Sequence, residues 1–127
     1  DALFNAGAGN CHFGGDPNEL FKTFTQLEKL PLETRIYPGH DYLISNLKFT
    51  LDREPQNKDA IEMLSKYEKD DPAEVVTSLK DEMKINTFLR LQNEEIINKL
   101  CESFPDLDSK PSPKMVFLKL RELRNHW

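Results

Sequence analysis

Thr34-Arg35-Ile36-Tyr37-Pro38-Gly39-His40-Asp41-Tyr42 is the stretch on which the reading of this chain turns. Residues 34 to 37 read as a short strand, and Pro38-Gly39 ends it. The turn then presents His40, Asp41 and Tyr42 at the strand end. An Asp and a His are ordinary ligands for zinc or iron, and a carboxylate can bridge two ions. On residue types alone, a Gly-His turn is more often a capped loop than a metal site. The second candidate ligand, Asp1, precedes the other strand of the chain.

Upstream, residues 2 to 6 (Ala-Leu-Phe-Asn-Ala) read as a short buried strand. Residues 7 to 15 read as a glycine-rich loop, in which Gly7, Gly9, Gly14 and Gly15 permit tight turns. Asp16 and Pro17 carry the signature of a helix start, with Glu19 at the acidic position of a capping box. Leu20, Phe21, Phe24 and Leu27 give that helix one apolar face.

Downstream, the pattern is helical from Leu43 to the end. Ile44, Leu47 and Leu51 share a face, and Glu54-Pro55 stops the helix. A second helix is expected from Asp59 to Lys69, with Ile61, Leu64 and Tyr67 inward. Ser78 and Asp81 form a capping pair for a short helix. Glu94 to Glu102 is the next, with Ile97 and Leu100 or Cys101 inward. After a loop from Pro105 to Pro111, Ser112-Pro113 opens a last helix with Val116, Leu120, Leu123 and Trp127 on one stripe. Two short strands do not make an independent sheet, so the first 42 or so residues read as the edge of a larger α/β sandwich, followed by a helical unit.

The composition sets limits. The chain has 127 residues, 38% hydrophobic and 31% charged, with eight Phe, three Tyr and one Trp. That is polar but sufficient for a core. A net charge of −5 argues against nucleic acid or an anionic membrane as partner. No apolar run approaches the roughly 20 residues that span a bilayer, and no signal-peptide pattern is present. Cys11 and Cys101 form no disulfide framework, which suits a reduced cytoplasmic setting, with the mitochondrion as the alternative. The chain starts at Asp1 and runs straight into Leu3-Phe4, so it is expected to be a fragment. Bare apolar faces on its first strand and helix would then favour self-association.

The order of motifs resembles the second half of glyoxalase II, a hydroxyacylglutathione hydrolase of the metallo-β-lactamase superfamily. Asp1-Ala-Leu-Phe, Gly7-Ala-Gly9-Asn-Cys, Leu30-Pro31 and the 34–42 stretch are similar to the family's Gly-Asp-Thr-Leu-Phe, glycine loop and Tyr-x-Gly-His-Glu-Tyr. Asn46-Leu47-Lys48-Phe49, Glu54-Pro55-x-Asn57, Ser78-Leu79 through Glu82, Asn86-Thr87-Phe88-Leu89-Arg90 and Arg121-x-x-Arg124-Asn125-x-Trp127 continue the match. The resemblance implies an α+β fold: the C-terminal edge of a metallo-β-lactamase αββα sandwich in residues 1–42, then a mostly α-helical substrate-binding domain in 43–127.

It also implies the chemistry. Asp1 would bridge two divalent metal ions (zinc, iron or manganese), His40 would ligate one, and the family's His-x-His-x-Asp-His cluster, absent here, would lie upstream. Asp1 and His40 would thus be the catalytic residues for hydrolysis of a glutathione thioester. Arg121 and Arg124, where the family has Arg and Lys, would bind the carboxylate of glutathione. Tyr42 would contact the substrate. Asn10 and His12 stand where the family has Lys and Tyr, which leaves a different thiol ester open. Thr87 replaces a proline. Two alternatives remain at this level: a persulfide dioxygenase with one iron, whose Tyr-Pro-x-His-Asp-Tyr turn is close to residues 37–42, and a non-catalytic helical interaction module.

Overall fold

The computed structural model describes residues 2–11, 15–38, 42–68 and 75–127. It is α+β and mostly helical. The order is β1 (Leu3–Phe4), β2 (Gly7–Ala8), α1 (Pro17–Leu27), β3 (Arg35–Ile36), α2 (Leu43–Arg53), α3 (Lys58–Tyr67), β4 (Thr77–Ser78), α4 (Leu79–Ile85), a 3₁₀ turn at Thr87–Leu89, α5 (Glu94–Ser103) and α6 (Pro113–Asn125). β1 pairs antiparallel with β2, and β3 with β4. No described helix is long and apolar enough to cross a membrane.

The helix boundaries follow local chemistry. Side-chain oxygens of Asp16, Asn57, Asn93 and Ser112 each accept from a free backbone N–H in the first turn of α1, α3, α5 and α6. Ser78 and Asp81 make the reciprocal capping box of α4. α2 ends at Arg53, one residue short of the Glu54-Pro55 step.

Several expectations need correction. The single strand over residues 2–6 is instead a hairpin: Ala6 takes φ 60, which folds β2 back on β1. β4 was not foreseen, and it gives β3 its partner. In α3 Leu64 and Tyr67 pack against the core as expected, but Ile61 is 47% exposed and Ala60 takes the fully buried place. In α5 Ile96 takes the inward position beside Leu100, and Ile97 sits at its margin. The last residue of the expected second helix, Lys69, lies outside the described residues.

The main core draws on both ends of the chain. Phe24 of α1, Phe88 of the 3₁₀ turn and Phe117 of α6 meet with ring centroids 5.2 to 6.3 Å apart. Leu79, Ile96, Leu100, Val116 and Leu120 complete the cluster, and Leu20, Phe21 and Leu27 pack at its edge. The apolar face of α1 is therefore covered within the chain, by α6. A second cluster joins Ala6, Leu43, Leu47, Ala60 and Ile85.

Two buried carboxylates tie these layers. Glu54, 2% exposed, receives Arg90 through Nη2 at 2.7 Å and through Nε. Arg90 Nη1 also donates to Met83 O, and Asn57 Nδ2 to Lys84 O. Glu82 is fully buried with no cation against it among the described residues, and burial pushes its pKa up to about 7. Thr87 buries its hydroxyl without a hydrogen-bond partner among the described residues.

Two outcomes are expected. Arg90→Ala leaves Glu54 charged and unpaired, and should cost about 3–5 kcal/mol in urea unfolding. Between the ordinary carboxylate pKa of 4.5 and about 7, folded Glu82 keeps a proton that the unfolded chain has released. That stabilising contribution is full below 4.5 and is lost as pH rises through 7. Glu82→Gln cannot ionise, so between pH 5 and pH 8.5 the wild type should lose up to about 3 kcal/mol more stability than the variant. Parallel pH curves would refute the buried charge.

Candidate functional site

Arg121 and Arg124 stand three residues apart on α6 and so share one face. Arg121 is 5% exposed. Its Nη1 donates to the carbonyls of Ala8 at 2.7 Å and Gly9 at 2.9 Å, and its Nε to Asn125 Oδ1 at 3.2 Å. The guanidinium lies over the Phe88 ring, 5.4 Å from its centroid. Arg124 is partly buried and donates through Nη2 to Ser45 Oγ at 3.1 Å and Asn46 Oδ1 at 3.4 Å. It also faces the rings of Phe49 and Trp127.

The terminal helix thus brings two cations to the point where the glycine-rich loop and the start of α2 meet. Burial lowers the pKa of both; Arg121 falls to about 10, with the charge of Arg124 adding to the effect and Cys11 opposing it. Both remain protonated at neutral pH. Among the described residues, no carboxylate makes an ion pair with either. Two desolvated, mutually repelling guanidiniums beside a buried loop are a chemical arrangement suited to an anion.

Of the other candidates, Asn10 is exposed and follows Gly9 directly. Tyr42, 48% exposed, stands at the N-cap of α2 with its ring edge-on to Phe4 at 5.1 Å. Asp1, His12 and His40 lie outside the described residues. No three described His, Cys, Asp or Glu side chains converge as a metal site would require. Cys11 and Cys101 are free thiols. An open groove of about 660 Å³, lined by Phe21, Glu28, Arg90 and Pro113 among others, contains none of the candidate residues.

Sequence reasoning gave no role to Ser45 and Asn46, which Arg124 contacts. A signal existed: Asn46 and Thr50 fall on the apolar face of α2 beside Leu43 and Leu47, where a polar residue needs a partner. Asn46 Nδ2 donates to Asn5 O at 3.1 Å. Gly7 is what allows this approach, since a Cβ there would collide with the Asn46 amide.

The sequence has counterparts among known proteins. Residues 41–127 match the family described as "Hydroxyacylglutathione hydrolase C-terminus". The chain is 60% identical over 129 residues to a hydroxyacylglutathione hydrolase of Nitrosococcus oceani, covering 100% of this chain and 49% of that protein. A protein of the same name from Polaromonas sp. is 57% identical, with the same coverage. One from Vibrio campbellii is 35% identical over all of this chain and 50% of its own length. This chain therefore spans about half the length of these relatives. It belongs to the hydroxyacylglutathione hydrolase (glyoxalase II) family and corresponds to that family's C-terminal part.

Proposed function

We propose that the protein carrying this chain hydrolyses S-2-hydroxyacylglutathione, S-lactoylglutathione included, to glutathione and a 2-hydroxy acid, and that this chain holds the glutathione. The observation that carries the reading is the arginine pair at the glycine-rich loop, with which no carboxylate among the described residues makes an ion pair. Glutathione ends in carboxylates, and a guanidinium pair meets a carboxylate with charge-assisted hydrogen bonds. The names of the relatives agree with that substrate class.

In this reading Arg124, the less buried of the two, reaches the carboxylate. Arg121 acts beside it by holding the loop through Ala8 and Gly9. Asn10, His12 and Tyr42 line the remaining peptide. In the reaction, the oxygen of water joins the thioester carbonyl carbon and the carbon–sulfur bond breaks. The glutathione sulfur leaves as thiolate, which needs little help at neutral pH. Binding the remote end of the substrate positions the scissile carbonyl.

Residues 1–42 are proposed as the edge of the metallo-β-lactamase sandwich and 43–127 as the helical substrate domain. Asp1 and His40 are the residues of this chain that would hold divalent metal, zinc, iron or manganese. A carboxylate and an imidazole suit such ions, but they are fewer than the three or four ligands a site takes. The remaining donors are assigned to the part of the relatives that this chain does not span. Bound metal would supply a water of lowered pKa and a polarised carbonyl.

In the enzyme carrying this chain, Arg124→Ala should raise KM for S-lactoylglutathione about tenfold or more, with kcat changed far less. Arg121→Ala should raise KM as well and also lower the melting temperature, because the Ala8 and Gly9 carbonyls lose their donor. An Arg124→Ala enzyme with unaltered KM removes that residue from the binding site.

A further inference from the structure

The turn joining β1 to β2 has a conformational problem. Ala6 sits at φ 60, a left-handed conformation that costs a non-glycine residue about 1–2 kcal/mol. The backbone around it is buried, so its polar groups need partners. Three of them are met by side chains distant in sequence. Asn46 Nδ2 donates to Asn5 O at 3.1 Å, Ala6 N donates to Glu82 Oε1 at 2.8 Å, and Asn86 Nδ2 donates to Gly7 O at 3.1 Å. Asn86 Nδ2 also donates to Glu82 Oε1 at 3.0 Å, so the carboxylate orients the amide that holds Gly7.

The second oxygen of Glu82 adds a further property. Thr77 Oγ1 lies 2.8 Å from Glu82 Oε2 and 3.3 Å from Asn5 Oδ1. A hydroxyl has one proton to donate, so it serves one acceptor at a time. With Glu82 ionised, Thr77 donates to it. With Glu82 protonated, the carboxyl O–H donates to Thr77, and Thr77 donates to Asn5. The network therefore closes in two ways, which differ in the hold on the hairpin turn. Of the groups acting on Glu82, Asp81 on the same helix is the charged one. Thr77 from β4, Ala6 from the turn and Asn86 are neutral.

We propose that Glu82 is a positioning residue for the substrate loop: through Ala6 and Gly7 it sets the path of the chain to Ala8 and Gly9, whose carbonyls hold Arg121. Glu82 touches neither arginine and acts only through the hairpin. The inference rests on the reading of the arginine pair as the glutathione site, yet its mechanical part can be measured separately.

The test uses the full-length enzyme carrying this chain, as wild type and as Glu82→Gln. Glutamine keeps the same bonds: Oε1 accepts from Ala6 and Asn86, and Nε2 donates to Thr77. It has no proton to lose. Amide resonances of Ala6, Gly7 and Gly9 and the Arg121 Nε–H resonance are followed from pH 5.5 to 8.5. In the wild type all should shift with one common midpoint near pH 7, and in Glu82→Gln all should stay still. An Ala6 resonance that titrates while Gly9 and Arg121 do not would overturn the proposal. So would the same titration in Glu82→Gln.

Binding of S-methylglutathione by calorimetry separates this inference from the functional one. A folded Glu82→Ala variant should bind at least tenfold more weakly than wild type, and Glu82→Gln within about twofold of it. Equal binding by all three would overturn the positioning role. Should no form bind, the glutathione reading fails, and the common midpoint of the resonances still decides whether Glu82 moves the loop.

Discussion

A five-residue piece of backbone, Asn5 to Gly9, is held by its short pairing to Ala2–Phe4 and, beyond that, by side chains that come from elsewhere in the chain. Asn46, Glu82, Asn86 and Arg121 each take one or two of its polar groups. Its own local structure is a pair of two-residue strands, too short to be stable alone. The hairpin therefore exists because the helical part builds a polar socket for it. The arginine pair in turn depends on the hairpin, since the Ala8 and Gly9 carbonyls fix the Arg121 guanidinium. Loop, socket and cations form one mechanical unit.

Burial makes that unit specific. Arginine and glutamate side chains are removed from water in one small region, and each is tolerated only because its donors or acceptors are used. Glu54 is matched by a guanidinium fork, whereas among the described residues Glu82 is matched by neutral donors. The first arrangement rigidifies the packing of α2 against the α4–3₁₀ segment. The second leaves a carboxyl whose charge is poorly supported, at the position with most leverage on the loop.

Much of this was legible in the sequence where the rule is local. Asp16-Pro17, Ser78 with Asp81, Glu54-Pro55 and Ser112-Pro113 set helix ends through bonds that span a few residues. The arginine pair was legible from its spacing and from the motif. The hairpin turn was not, because a left-handed alanine is stabilised by a carboxylate 76 positions away. β4 was equally hidden: two residues have no periodicity, and the strand forms because β3 offers it an edge. In α3 and α5 one position each was misjudged, since Ala60 and Ile96 are fully buried beside the expected Ile61 and Ile97, while Leu64, Tyr67 and Leu100 pack inward as their spacing suggests. Several motif residues with no evident role, such as Asn46, Asn57 and Arg90, turn out to be internal struts.

The position of Trp127 has an optical consequence. It is the one tryptophan in the chain, half-exposed, edge-on to Phe49 and beneath the Arg124 guanidinium. Indole emission is sensitive to a nearby cation and to water, so whatever neutralises Arg124 alters the light from this ring. The chain thus carries an intrinsic fluorophore beside its arginine pair, with no second indole in the chain to dilute the signal.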